Sequence, residues 1–310
     1  MFNIPNHSAK LMIAVLAVLI ISSSLRMTLR KRLQTENYRE LKQRIQSWWW
    51  MIGLLFGAIY LGASVTICFF GFLSFLTLKE FLSITPIRQE DRRVAFWLYL
   101  SIPVQYYWVH EGWYGMFIIF IPVYVFLFIP VRMILIGKTE GFIRSAGIMH
   151  WAVMLTVFCI SHLAYLLVLP VKNEMAGNAG LILFLLFLTQ GNDVAQFVWG
   201  KLLGRHKIIP KISPNKTWEG FLGGIATIVT ASAFLGPYLT PMDLKQSLAC
   251  GALIGLAGFF GDLVISSVKR DLHIKDTGTL IPGHGGLLDR MDSLIYTSPI
   301  FFHYLYYLHY

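Results

Sequence analysis

An all-α polytopic integral membrane protein of about 9–10 transmembrane helices, its polar loops gathered on the cytoplasmic side, is the fold class this sequence predicts. Three observations predict it. Of 310 residues, 56% are hydrophobic and only 14% are charged, against about 25% charged in soluble domains, and the mean hydropathy is +0.61. Apolar runs of about 17–25 residues, enough to cross roughly 30 Å of hydrocarbon as a helix, recur along nearly the whole chain. Basic residues fall into alternate connecting loops, as in proteins oriented by positive charge on the cytoplasmic side.

In chain order the runs predict crossings at 9–25, 47–63, 65–83, 94–110, 113–135, 146–170, 178–200, 219–238, 247–268 and 293–310. The first, LMIAVLAVLIISSS, has little charge before it and the basic LRMTLRKRLQ after it. This reverses the order of a secretory signal and fits a retained anchor. Residues 47–83 admit one long tilted helix or a hairpin of two short ones, and charge selects the hairpin. With it, Arg26–Arg44, Lys79–Arg93, Arg132–Arg144, Lys201–Lys216 and Lys269–Arg290 share one side; only Lys10, Lys172 and Lys245 lie opposite. The reading is ten crossings with both ends outside. Residues 1–175 form N-terminal transmembrane helices, and residues 176–310 form the polar-segment-bearing C-terminal region of one membrane-embedded unit.

Cys68, Cys159 and Cys250 sit in apolar runs without metal-like spacing and read as small core residues. The net charge of +10 follows from topology and contact with anionic head groups, and gives no support to nucleic-acid binding.

Against this apolar background Ser266–Ser293, SSVKRDLHIKDTGTLIPGHGGLLDRMDS, concentrates polar chemistry in the last cytoplasmic loop. Asp193 in FLTQGNDVAQFVWG and Asp262 in LAGFFGDLVISS lie inside or at the ends of apolar helices. A carboxylate at membrane depth costs a few kcal/mol or more unless paired, hydrated or bound to a cation. A lysine on another helix, a metal or a substrate would each satisfy them. Asp289 and Asp292, spaced i, i+3, share a helix face, and such oxygens from several segments suit a hard ion whose shell phosphate completes. Asp276 lies in the loop, and Asp271 reads as a solvated charge.

Lys269, Arg270, Lys275 and Arg290 surround PGHGG, where Gly285 and Gly286 permit close backbone approach and their amides, with the cations, make an anion cradle. Without a second histidine or cysteine at ligand spacing, His284 reads as a donor to phosphate rather than a metal ligand. The second polar segment, Gly200–Gly224, ends in SPNKTWEG as a helix begins. Ser213, Asn215, Lys216 and Thr217 there can donate to phosphate or sugar oxygens at a helix N-terminus. An ordinary cap, Ser213 or Asn215 with Glu219 as the capping acid, explains this segment equally well.

SSVKRDLHIKDTGTLIPGHGGLLDRMD resembles the signature of the phosphatidate cytidylyltransferase (CDP-diacylglycerol synthase) family. Ser266, Val268, Lys269, Arg270, Lys275, Asp276, Gly278, Ile281, Pro282, His284, Gly285, Gly286, Leu287, Asp289, Arg290, Met291 and Asp292 meet its fixed positions. SPNKTWEG, Asn192-Asp193 and Gly261-Asp262 are similar to the family's upstream polar segments. The similarity covers residues 180–300, and the N-terminal third shares only its hydrophobicity.

The resemblance implies transfer of CMP from CTP to phosphatidate, giving CDP-diacylglycerol and pyrophosphate for phospholipid biosynthesis, in the presence of Mg²⁺ and with room for a second cation. It implies metal ligation by Asp262 and Asp289, with Asp193 and Asp292 as further candidates. Lys216, Lys269, Arg270, Lys275, Asp276 and His284 are the expected catalytic residues; Ser213, Asn215, Thr217, Gly285, Gly286 and Arg290 are the expected substrate-binding ones. Expected partners are CTP, phosphatidate, membrane lipids and, by family analogy, a second copy in a homodimer, with no nucleic acid. The short loops favour a bacterial plasma membrane with active-site loops facing the cytoplasm. The alternatives are a CTP-dependent transferase or kinase acting on another lipid phosphate or polyprenol, and, in a different class, a transporter, for which intramembrane acids are equally typical.

Overall fold

The computed structural model describes residues 4–29 and 35–310; Arg30, Lys31 and Arg32 of the first basic loop lie outside them. Among these residues ten helical segments follow one another: α1 (Asn6–Leu29), α2 (Thr35–Leu61), α3 (Ala63–Ile84), α4 (Arg92–His110), α5 (Tyr114–Ile134), α6 (Phe142–Tyr165), α7 (Gly177–Leu203), α8 (Trp218–Leu239), α9 (Leu244–Asp271) and α10 (Leu288–His309). Among the described residues there is no strand element, and the non-helical pairing consists of two isolated bridges. The fold is an all-α polytopic membrane protein. Seven of the helices, α1, α3 and α5–α9, are long and apolar enough to cross a bilayer; α2, α4 and α10 are helices at the remaining expected positions.

The hairpin at residues 47–83 forms because Gly62, at φ 112°, breaks the helix between α2 and α3 where a residue with a Cβ is strained. Helix α2 begins at Thr35 rather than 47, because polar TENYRELKQRIQ continues the apolar helix out of the hydrocarbon; hydropathy marks only the apolar half. Likewise α10 starts at Leu288, so LDRMD lies in its first turns. Helices α5 and α6 each contain a π-helical stretch, Phe120–Val125 and Met154–Cys159. In α5 the stretch accommodates Pro122, which has no N–H to give the ladder.

Helices α7, α8, α9 and α10 pack successively against one another. Small residues let the backbones approach, as is usual inside membranes: a Cβ on Gly224 of α8 would lie 2.4 Å from Gln196 of α7, and one on Gly261 of α9 would lie 2.6 Å from the Asp292 carbonyl of α10. Phe117, Phe184, Phe301 and Phe302 are fully buried in the core. Of the three thiols expected inside, Cys250 is buried and Cys159 half-buried, but Cys68 is exposed on α3. Its run is apolar because it faces lipid, and hydropathy does not separate that surface from the interior.

Candidate active site

The ends of α3, α7 and α9 and the starts of α2, α8 and α10 meet at one end of the bundle, together with the loops 204–217 and 272–287. Arg270, in the last turn of α9, ties that helix to the 204–217 loop, its Nε donating to the Ile212 carbonyl at 3.1 Å. Ser47 of α2 donates to the Pro282 carbonyl at 2.7 Å. Of the expected site residues, Lys216, Asp262, Lys269 and Asp289 form two lysine–carboxylate pairs there, with Asp193 and Asp292 near them.

In the first pair, Lys216 Nζ lies 2.7 Å from Asp262 Oδ2 and 5.2 Å from the Phe259 ring centre. It also donates to Gln196 Oε1 at 3.1 Å, and Ser266 donates to the other Asp262 oxygen at 3.1 Å. The lysine thus comes from the loop rather than from another helix. In the second pair, Lys269 Nζ lies 2.7 Å from Asp289 Oδ1, with the side chains 13% and 4% exposed. Asp289 Oδ2 accepts from Thr277 N at 2.8 Å, Thr277 Oγ1 at 3.0 Å and Gly286 N at 3.1 Å. That carboxylate therefore shapes the loop as well as holding the lysine.

Between the pairs, Ser293 Oγ donates to Asp193 Oδ1 at 3.1 Å, and Ser293 N to Asp292 Oδ1 at 2.7 Å. Asp193 and Asp262 are the acidic neighbours that act on Asp292 electrostatically. Asn192 Oδ1 and Gln196 Nε2 are buried beside these acids without hydrogen-bond partners among the described residues. No three His, Cys, Asp or Glu side chains among the described residues converge closely enough to hold an ion alone. The donor set is nonetheless the all-oxygen one that suits a hard cation whose shell is shared with phosphate or water.

The PGHGG turn closes on itself through an Ile281–Gly285 bridge, with Gly283 and Gly285 at φ 76° and 82°. Gly286 is required for another reason: a Cβ there would lie 1.8 Å from Glu80 Oε1 and 2.3 Å from Thr277 Oγ1. Glu80, near the end of α3, is a residue the sequence reading missed. Its Oε2 accepts from Leu287 N at 2.9 Å, and its Oε1 accepts from Leu288 N at 3.2 Å and from the Thr277 hydroxyl. It caps α10 and fixes the glycine turn from the N-terminal half of the chain. The signal was available: Glu80 interrupts the apolar run of α3, as Asp193 and Asp262 interrupt theirs. Gln196, Thr277 and Ser293 also escaped notice, because isolated hydroxyls and amides seldom signal a site.

His284 is half-buried, with Nδ1 unpartnered among the described residues and its ring edge-on to Trp48 at 6.1 Å. Burial, then the positive charge of Arg290, holds its pKa below the ordinary value. Arg290 is half-buried, its Nε also lacking a partner among the described residues. Lys275, Asp276 and Asn215 are exposed, as is Asp271, in keeping with a solvated charge. Ser213 is half-buried, in the turn preceding Lys216. Thr217, rather than Ser213 or Asn215, caps α8: it is 4% exposed and accepts from Gly220 N at 3.2 Å. Glu219 turns away from that cap to accept from Arg205 N at 3.0 Å and His206 N at 3.2 Å, holding the start of the loop.

Comparison with known proteins matches these features. Residues 42–308 fit the Cytidylyltransferase family. The chain is 42% identical to Uncharacterized protein YnbB of Escherichia coli K12 over 299 residues, 96% of this chain and 98% of that one. It is 41% identical to a phosphatidate cytidylyltransferase of Mycobacterium leprae over 118 residues, 38% of each chain. A phosphatidate cytidylyltransferase of Staphylococcus aureus is 35% identical over 156 residues, 49% of this chain and 59% of that one. The match therefore spans less than two thirds of either of these two enzymes. With the match to the family running from α2 to the end of α10, through both lysine–carboxylate pairs, the chain belongs to the cytidylyltransferase family.

Proposed function

We propose that the protein transfers CMP from CTP to phosphatidate, forming CDP-diacylglycerol and releasing pyrophosphate, at the cytoplasmic boundary of a bacterial plasma membrane. The observation that carries this reading is the convergence of Lys216–Asp262 and Lys269–Asp289, with Asp193 and Asp292, at the end of the bundle bearing the basic loops. Opposite charges are paired there, at the end of the bundle where this reaction needs an aqueous nucleotide and a lipid to meet.

In the reaction, a phosphate oxygen of phosphatidate bonds to the α-phosphorus of CTP while the bond from that phosphorus to the α–β bridging oxygen breaks. The electron pair leaves with pyrophosphate. The nucleophile is already anionic, so no strong general base is needed; aligning and neutralising several phosphates is the main work. Lys216 and Lys269 are placed to turn from their carboxylates to phosphate oxygens, and the Gly285–Gly286 turn brings backbone close to the same place. Asp262 and Asp289, with Asp193 and Asp292 nearby, would hold Mg²⁺, and a second cation where phosphate completes the shell; the ion would supply charge neutralisation at the phosphates. Asp289 already accepts three loop hydrogen bonds, so in this reading its role in shaping the turn accompanies metal binding.

The test uses purified protein in liposomes with CTP labelled at the α-phosphate, Mg²⁺ and phosphatidate, scoring label in lipid. Label in a CDP-lipid, abolished by EDTA and by Asp289→Asn, is the expected result. No transfer by folded protein would overturn the assignment of acceptor or of activity. Label from the γ-phosphate instead would indicate a kinase.

A further inference from the structure

The geometry points to a subsite for the phosphomonoester head of a membrane lipid in the groove between the end of α1, the start of α2 and the glycine turn, with Arg26 and Arg44 as its cations. This rests on the proposed acceptor being a lipid phosphate, and names where that acceptor is held.

The groove, of about 440 Å³, is lined by Arg26, Arg44 and His284 on its polar side and by Leu25, Leu41 and Ile45 on its apolar side. That size lies within the range of small-ligand sites, and the mixed lining suits a molecule that is anionic at one end and apolar at the other. Two of its polar atoms lack hydrogen-bond partners among the described residues: Arg26 Nε and His284 Nδ1 are both buried. Arg44 pairs with Glu40 one turn earlier on α2, where both side chains are more than half exposed, an interaction that contributes little. Guanidinium forks match phosphate oxygens in bidentate geometry, so two arginines facing one groove favour phosphate over a neutral head group.

The chain's outer surface supplies the route. On α1, Ile13, Ile20 and Ile21 are 55–65% exposed, an apolar face along which acyl chains can lie as the head group enters. The groove is also joined to the catalytic end. A Cβ on Gly283 would lie 3.1–3.2 Å from Gln43 and Arg44, so α2 packs directly on the turn, while Gly285 on the same turn faces Asp289. His284, between these two glycines, lines the groove, so groove and carboxylates border the same turn. Neither arginine belongs to the polar segments that identify the family chemistry, and Arg26 lies outside the region matched to the family.

The test compares wild type with Arg26→Gln and Arg44→Gln, full-length and in liposomes, measuring label transfer against phosphatidate at saturating CTP and against CTP at saturating phosphatidate. Loss of one charge-assisted contact is expected to raise the phosphatidate KM about tenfold, leave the CTP KM unchanged, and be partly restored by Arg44→Lys. An unchanged lipid KM in both variants, or equal rises for both substrates, would overturn the subsite. A second readout does not need turnover: native mass spectrometry of the detergent-solubilised protein with phosphatidate, with phosphatidylcholine as control and inorganic phosphate as competitor. Retention of phosphatidate by wild type and Asp289→Asn but not by the arginine variants supports the subsite, even if wild type transfers no label and the proposed activity fails. Label transfer with lipid retention independent of both arginines overturns the subsite while the activity stands. Displacement of the lipid by equimolar inorganic phosphate overturns the lipid assignment.

Discussion

Replacing Glu80 by Gln changes one atom in a helix outside the C-terminal half, yet it should disable the proposed site. The carboxylate accepts two backbone N–H groups, of Leu287 and Leu288, and the Thr277 hydroxyl. Glutamine keeps one carbonyl oxygen and turns the other acceptor into an NH₂ facing a donor. At least one charge-assisted hydrogen bond is lost, worth about 1.5–3 kcal/mol. Removing a negative charge from the start of α10 adds about 0.3–1 kcal/mol. The sum, about 2–4 kcal/mol, falls on the order of the 277–287 turn, because the hydrogen bonds of the Glu80 carboxylate go there and to the first amide of α10. At 1.4 kcal/mol per factor of ten, it caps the loss in kcat/KM at about thirtyfold to a thousandfold, and a turn held by a larger margin would lose less. Two measurements check it: initial rates of α-label transfer, and hydrogen exchange of the amides from 277 to 288 in the solubilised protein. Rates and exchange both indistinguishable from wild type would refute the clamp. Unchanged exchange with a large rate loss would instead place Glu80 in contact with substrate.

Four other expectations follow from the same geometry. Gly286→Ala should match Glu80→Gln in rate, and the double variant should be no worse than either single one, since the added Cβ displaces the same carboxylate; additive losses in a double-mutant cycle would show two separate devices. Asp262→Asn and Asp289→Asn should each abolish turnover with the protein still inserted, each leaving a lysine without its carboxylate, whereas exposed Asp271→Asn should leave rates near wild type. Thr217→Val should cost about 1 kcal/mol in thermal stability through the lost cap with the CTP KM unchanged; a raised KM without destabilisation would give its hydroxyl to the nucleotide. His284 has a folded pKa below its ordinary value, so below about pH 6.5 the unfolded chain takes up a proton that the folded one does not, and stability falls on acidification. His284→Gln should remove that part of the acid sensitivity, read as a smaller fall in Tm between neutral and mildly acidic buffer.

The helices were legible because a bilayer imposes about 20 apolar residues per crossing, and the charge bias resolved even the hairpin that Gly62 breaks. What hydropathy could not show was direction around each helix. Cys68, in lipid, and Cys250, in the core, have equally apolar neighbours in sequence. The carboxylates and lysines of the site were legible because charge inside apolar segments is expensive and therefore stands out. Their pairing was not, since Lys216 reaches Asp262 only through the path of loop 204–217, fixed by Glu219 at its start and Thr217 at its end. Glu80 met the same criterion as Asp193 but lies about two hundred residues before its partners in the chain, too far for a local pattern to connect them.

Within each of the two lysine–carboxylate pairs the resting charges cancel. At a pair, a lone anion would have to draw the ammonium from its acid, and a lone cation would have to compete with that ammonium for the same oxygens; either arrival leaves a half-buried charge stranded. A ligand carrying both signs together, such as a polyphosphate already complexed with its counter-ion, exchanges partners with both members of a pair and strands nothing. In the proposed transfer, the pairs would favour the neutralised complex over its separate components. Selectivity of that kind would shield a membrane-embedded centre from the free phosphates and free cations of the aqueous phase beside it.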